Sequence, residues 1–160
     1  MNRKSSGRKY KSHAFKIKTK WDSGRKWQIL LDDTEPIEGG SPVVFGGDVG
    51  RWAPEQLMIA SIDSCHLASF VALCKHKDFE FVSYESENEG ILEHDGEVFR
   101  FTKMTMRPKV GVKSEDEIER AKELVHKAHK GCFMSNTVNS EVTIEPEAFV
   151  VDDNADDGTE

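Results

Sequence analysis

Cysteine is scarce in this chain. Three stand among 160 residues, Cys65, Cys74 and Cys132, too few and too odd in number for a disulfide scaffold. In a reducing compartment a bond between any two of them would be transient and catalytic rather than structural. Positive charge is outnumbered: 22 lysines and arginines face 29 acids, and the net charge of -7 argues against nucleic acid as the main partner. Long apolar runs are also missing, since none approaches the roughly 18 residues that cross a bilayer. The opening MNRKSSGRKYKS is basic but lacks the apolar stretch of a secretory signal. A cytoplasmic protein that engages no membrane is therefore expected. No internal repeat, phosphate-binding glycine loop or Ser–His–Asp signature occurs.

The remaining composition, 37% hydrophobic and 32% charged, suits one globular domain with a real core. Residues 1–12 read as a basic tail and 151–160 as an acidic one. Neither holds enough apolar area to offset chain entropy. Between them lies a domain over 13–150. HAFKIKTKW alternates, with Phe15, Ile17, Thr19 and Trp21 on one face, and reads as a half-buried strand. A DSG turn and RKWQILLD complete a hairpin. The Gly- and Pro-rich stretch that follows is a loop with one short strand at VVF.

A long helix then opens at APEQL and runs to about Lys77. Pro54 suits a first helical turn, and Glu55 complements the helix dipole there. Leu57, Ala60, Ser61, Ser64, Cys65, Ala68, Val71 and Ala72 form a stripe rich in small residues, so a central, buried helix is expected. FEFVSYESE and EVFRFTKMTMRPKV form a second hairpin around EHDGE. The apolar parity changes between Phe101 and Met104, which predicts a bulge or burial of both faces. SEDEIERAKELVHKAHKG is a second helix, with Ser114 as N-cap, Glu117 at the capping-box position and Gly131 as the stop. EVTIEPEAFV closes the chain as an edge or bent strand at Pro146. The order ββ(β)–α–ββ–α–β, grouped rather than alternating, makes the class α+β with mostly antiparallel sheet.

Cys65 lies about three turns into its helix, beyond the reach of the helix dipole. A thiolate there needs a side-chain cation, and Arg25 and Arg51 are both candidates. Glu55, ten residues earlier, sits about 15 Å down the axis. It cannot touch the thiolate, but a carboxylate can hold an arginine that does. Cys74, nine residues on, falls half a turn out of phase and reads as packing. His126, His129 and Cys132, with Cys65 and His66, leave a zinc-binding module open as an alternative. Trp21, Trp27 and Trp52 suit either core or an apolar pocket.

APEQLMIASIDSC, AHKGCFMSNTV and EVTIEPEA resemble the OsmC/Ohr family, the osmotically inducible and organic hydroperoxide resistance proteins. The likeness spans roughly residues 13 to 150. It implies an intertwined homodimer with sheets around long central helices, and thiol-dependent reduction of organic hydroperoxides by an external dithiol, with no cofactor. It implies Cys65 as the peroxidatic cysteine, Cys132 as the resolving one, and Glu55 as the carboxylate that holds a catalytic arginine, best matched by Arg25 in SGR. The chain departs from the family in having His66 after Cys65, FMSN after Cys132 and a short first hairpin. A non-catalytic dimeric protein that binds a small ligand is a further alternative.

Overall fold

The computed structural model describes residues 11–151. The basic tail, apart from residues 11 and 12, and the acidic tail beyond residue 151 lie outside the described residues. The chain separates into two compact units that divide between Pro54 and Glu55.

The first unit is a three-stranded antiparallel sheet in the order β1 (Lys18–Ser23), β2 (Lys26–Leu30), β3 (Ile37–Gly40). The turn between β1 and β2 uses Gly24 at φ 51°, a left-handed conformation that glycine adopts without penalty. Trp21 and Trp27 face each other across the pair. A side chain at Gly39 would collide with the Trp27 indole, so β3 can only lie there as glycine. Two expectations fail here. The segment VVF is a 3-10 turn, Val43–Phe45, and the third strand lies earlier, at Ile37–Gly40. The first strand is not half-buried within this chain: β1 is exposed throughout, as are Phe15 and Ile17 before it.

The second unit contains both helices and the larger sheet. α1 (Pro54–His76) is followed by β4 (Ser83–His94), β5 (Phe99–Val112), α2 (Ile118–Gly131), β6 (Glu141–Ile144) and β7 (Glu147–Val150). β4 and β5 form a long antiparallel hairpin. Ile91 pairs with Lys103 while Leu92 pairs with Phe101, so Thr102 bulges out, as the parity change foretold. Past the bulge, Met104, Thr105 and Met106 are all buried. β6 and β7 lie parallel to successive stretches of β5. Pro146 separates them, since proline has no N–H to extend the ladder.

The helices pack on this sheet through one core. α2 contributes Ala121, Leu124, Val125 and Ala128, β5 contributes Val110 and Val112, and α1 contributes Phe70 and Cys74. Phe70 lies 5.1 Å from the Phe81 ring and 5.6 Å from Tyr84. A second cluster joins Ile62 of α1 to Met104 and Met106, bordered by Met58 and Met134. α2 begins later than expected. Glu115–Glu117 is a 3-10 turn, the Ser114 hydroxyl makes no cap bond, and the Glu117 carboxylate accepts from the Lys113 N–H at 3.0 Å. The Glu117 carboxylate thus reaches the residue before Ser114 rather than Ser114 itself, and the expected capping box does not form.

α1 corrects two readings. Its buried positions are Ile62, His66, Phe70 and Cys74, spaced four apart on one face. The small-residue stripe is the other face, and Ser64, Ala68, Val71 and Ala72 are exposed within this chain. The helix is also long and apolar enough to cross a membrane by length and composition, with a mean hydropathy of 1.7, against the expectation that no stretch was. Asp63 and His66 interrupt the run as read by eye. Within this chain both polar side chains are hydrogen-bonded.

Candidate functional site

Cys65 stands in the middle of α1, between the packed face and the open one, and is partly exposed. Nothing breaks the helix around it, since no glycine or second proline occurs between Glu55 and His76. Ser69 donates to the Cys65 carbonyl at 2.9 Å, a back-bond that helix serines commonly make. The cysteine side chain is thus presented from a rigid element.

Cys132 is fully buried just past the end of α2. Its N–H bonds the His129 carbonyl at 3.1 Å, which turns the chain sharply out of the helix. The sulfur then meets α1. Sγ lies 3.7 Å from the Ile62 carbonyl as a donor, and it accepts from the Ser135 N–H at 3.4 Å. Ile62 is three residues before Cys65, less than one turn along the helix. The structure therefore brings the second thiol to the turn that carries the first. All three cysteines are free thiols. Cys74 is 2% exposed, and burial pushes its thiol up to about 11, partly opposed by Arg120.

A polar spine that the sequence reading passed over runs beside Cys65. His66 is 1% exposed. Its Nε2 lies 3.1 Å from the Val125 carbonyl on α2, and its Nδ1 lies 3.2 Å from the Tyr84 hydroxyl on β4. A carbonyl can only accept, so Nε2 carries the proton and Nδ1 accepts from tyrosine. Burial holds His66 below the usual histidine range. The Val125 bond and Asp63 oppose that shift, and His129 and His126 reinforce it. Burial likewise raises Tyr84, with Asp63 adding to the effect. The Ser86 hydroxyl donates to Asp63 at 2.8 Å and accepts from Asn88 Nδ2 at 3.1 Å. The signal was present in the sequence: Asp63 and His66 share one face of an otherwise apolar helix, and such groups need partners when buried.

Glu55 keeps one carboxylate oxygen, Oε2, buried with no hydrogen-bond partner among the described residues. In the first unit, Arg25 donates to the Phe45 carbonyl. Arg51 pairs with Glu38 at 2.7 Å. Gln28 donates to the other oxygen of Glu38, and these two contacts hold that carboxyl below its usual range. Trp21 and Trp52 are exposed and Trp27 is half-buried, so the three tryptophans do not form a core within this chain. No group of three His, Cys, Asp or Glu side chains among the described residues is placed to hold a metal ion. The set of His126, His129 and Cys132 that the zinc alternative needs is not assembled.

The family model for OsmC-like protein matches residues 46–147. A Bacillus subtilis (strain 168) protein, the uncharacterised YmaD, is 26% identical over 148 residues, covering 86% of this chain and 95% of that one. Among solved structures, an OsmC-like protein of unknown function from Vibrio cholerae O1 biovar eltor is similar at a TM-score of 0.75 and 23% identity, over 84% of this chain and 99% of that one. An organic hydroperoxide resistance protein from Elizabethkingia anophelis, with thiocyanate bound, is similar at a TM-score of 0.68 and 18% identity, over 87% of this chain and all (100%) of that one. At these identities the structural likenesses speak for the fold.

Proposed function

The chain belongs to the OsmC-like protein family, and on that premise we propose that it is a thiol-dependent peroxidase acting on organic hydroperoxides. One observation supports the reading: the Cys132 sulfur meets the carbonyl of Ile62, three residues before Cys65 on α1, although Ile62 and Cys132 lie 70 residues apart in sequence. The organic hydroperoxide resistance protein of the same fold agrees with a role in peroxide defence.

In the reaction, the Cys65 thiolate attacks the distal oxygen of the hydroperoxide. An S–O bond forms, the O–O bond breaks, and the alkoxide takes a proton and leaves as the alcohol. Cys65 is left as a sulfenic acid. The Cys132 thiol attacks its sulfur, the S–S bond forms, and the hydroxyl leaves with the thiol proton as water. A dithiol reductant then exchanges with the disulfide and is itself oxidised. The Ser135 N–H on Cys132 Sγ stabilises negative charge on that sulfur as the attack develops.

Arg25, held by Glu55, is assigned to the thiolate and to the charge that builds on the breaking O–O bond. Both residues take these roles from the likeness to the OsmC-like family. The protein is assigned to the cytoplasm as a homodimer. The exposed small-residue face of α1 and the exposed Trp21, Val44, Val49 and Trp52 support the second chain.

Mass spectrometry with peptide mapping tests the reading. The reduced protein, given one equivalent of cumene hydroperoxide, is expected to form a Cys65–Cys132 disulfide within seconds. Thiols unchanged after minutes in excess hydroperoxide would refute the peroxidase and favour a non-catalytic binding protein.

A further inference from the structure

Two bonds hold α2 against α1 beside the thiols. Cys132 Sγ meets the Ile62 carbonyl, and His66 Nε2 meets the Val125 carbonyl. Ile62 and His66 are one turn apart on α1, while Cys132 and Val125 are seven residues apart on α2 and its exit. The second bond is the stronger anchor, since an imidazole N–H is a better donor than a thiol. It is also buried, so water cannot replace it if it is lost.

From this we propose that His66 is a positioning residue for the resolving step, a neutral imidazole that splints α2 onto α1 and so holds Cys132 within reach of Cys65. The assignment of the pair as redox partners rests on the function proposed above. His66 itself touches neither reacting sulfur. It acts through the helix that delivers Cys132, with Tyr84 fixing the ring from β4.

The splint is sensitive to acid. The groups that face His66 are Asp63 on its own helix, Tyr84 on β4, and His126 and His129 on α2. A proton added at Nδ1 reverses the bond with the Tyr84 hydroxyl, which then accepts instead of donating. It also places a cation in a buried site beside the His129 ring, whose centroid is 6.4 Å away. His129 is itself held below the usual range by burial, and its buried Nδ1 has no partner among the described residues. Among the described residues Asp63 is the one facing anion, and it is already engaged by Ser86. The Nε2 bond to Val125 survives protonation, so what strains the contact of α2 with α1 is the buried charge beside His129.

The test equilibrates the full chain with reduced and oxidised glutathione. The protein dithiol and one oxidised glutathione exchange to the protein disulfide and two reduced glutathiones. The fraction of Cys65–Cys132 disulfide gives the effective concentration of the pair. His66→Leu is expected to lower that concentration by about tenfold or more near pH 7.5. His66→Gln offers an N–H to the same carbonyl and has nothing to titrate, so it keeps the value within about threefold. Between about pH 7.5 and pH 5.5, wild type is expected to lose ground to His66→Gln several-fold. A merely structural histidine would not produce that divergence. Wild-type values in His66→Leu, or a ratio of wild type to His66→Gln that does not move with pH, would overturn the inference. Wild-type protein that forms the disulfide with glutathione but ignores hydroperoxide would refute the peroxidase and leave the splint intact. Failure to form the disulfide with glutathione would overturn both.

Discussion

Cys65 and Cys74 ride the same helix nine residues apart, and the protein treats them in opposite ways. Cys74 lies on the packed face among Phe70, Phe79, Val110 and Leu124, where burial raises its thiol to about 11. A thiol held so far above neutral pH is almost entirely protonated and inert. Cys65 lies off that face, partly open, on the turn that receives Cys132. The helix is the same and the residue is the same. What differs is the phase, and with it exposure to solvent and nearness to the turn that Cys132 contacts.

The sharpest way to break this contrast is to replace each cysteine by serine in turn. Cys65→Ser is expected to abolish hydroperoxide turnover, measured with a dithiol reductant, while leaving the melting temperature close to that of wild type. Cys74→Ser is expected to retain turnover and to lose about 1–3 kcal/mol of stability in urea, because a hydroxyl replaces a thiol in an apolar core. If Cys74→Ser were the inactive variant, the roles would be reversed.

The packed face can be probed through its largest member. Phe70 is fully buried against Phe81 and Tyr84, and Phe70→Ala is expected to cost about 3–5 kcal/mol by urea denaturation. A smaller effect comes from Ser86→Ala, which strips Asp63 of its hydroxyl donor and is expected to cost about 1–2 kcal/mol. Both variants should still form the Cys65–Cys132 disulfide wherever they remain folded.

Acid provides a gentler lever on the contact of α1 with α2. His66 and His129 are both held by burial below the ordinary value of 6.5, so the unfolded chain binds protons more readily than the folded one in this range. Stability rises with pH wherever the unfolded state holds more protons. The contribution is present in full above pH 6.5 and is lost as the pH falls below that value. Thermal melts at stepped pH should show this decline, and His66→Gln should flatten it. The smallest change is expected at the surface of the first unit. Glu38→Gln breaks the exposed pair with Arg51 and should leave the melting temperature nearly unchanged.

Much of the fold was legible in residue order. The alternation of β4 and β5 and the parity break at Thr102 follow from a period of two, whereas the closing segment, expected as one edge or bent strand at Pro146, forms two strands. α1 announced itself through Pro54, Glu55 and a long run free of breakers. The phase difference between Cys65 and Cys74 follows from helical geometry alone. Other features were not legible, for identifiable reasons. The third strand formed at Ile37–Gly40 rather than at VVF because pairing with β2 and the fit of Gly39 under Trp27 outweigh β propensity. The face of α1 that packs within the chain, through Ile62, His66, Phe70 and Cys74, was not legible because small residues mark close approach without saying by what.

The sequence by itself determined which residues could do chemistry and how they are phased along each element, since covalent order and backbone geometry set both. Only the tertiary structure decided that the Cys132 sulfur rests on the turn bearing Cys65, and that the histidine after Cys65 bonds a carbonyl on α2, 59 residues away. Such contacts depend on how the helices pack on β5. Packing is a sum of many weak, non-directional apolar contacts spread over the whole unit, and no local stretch of sequence contains it.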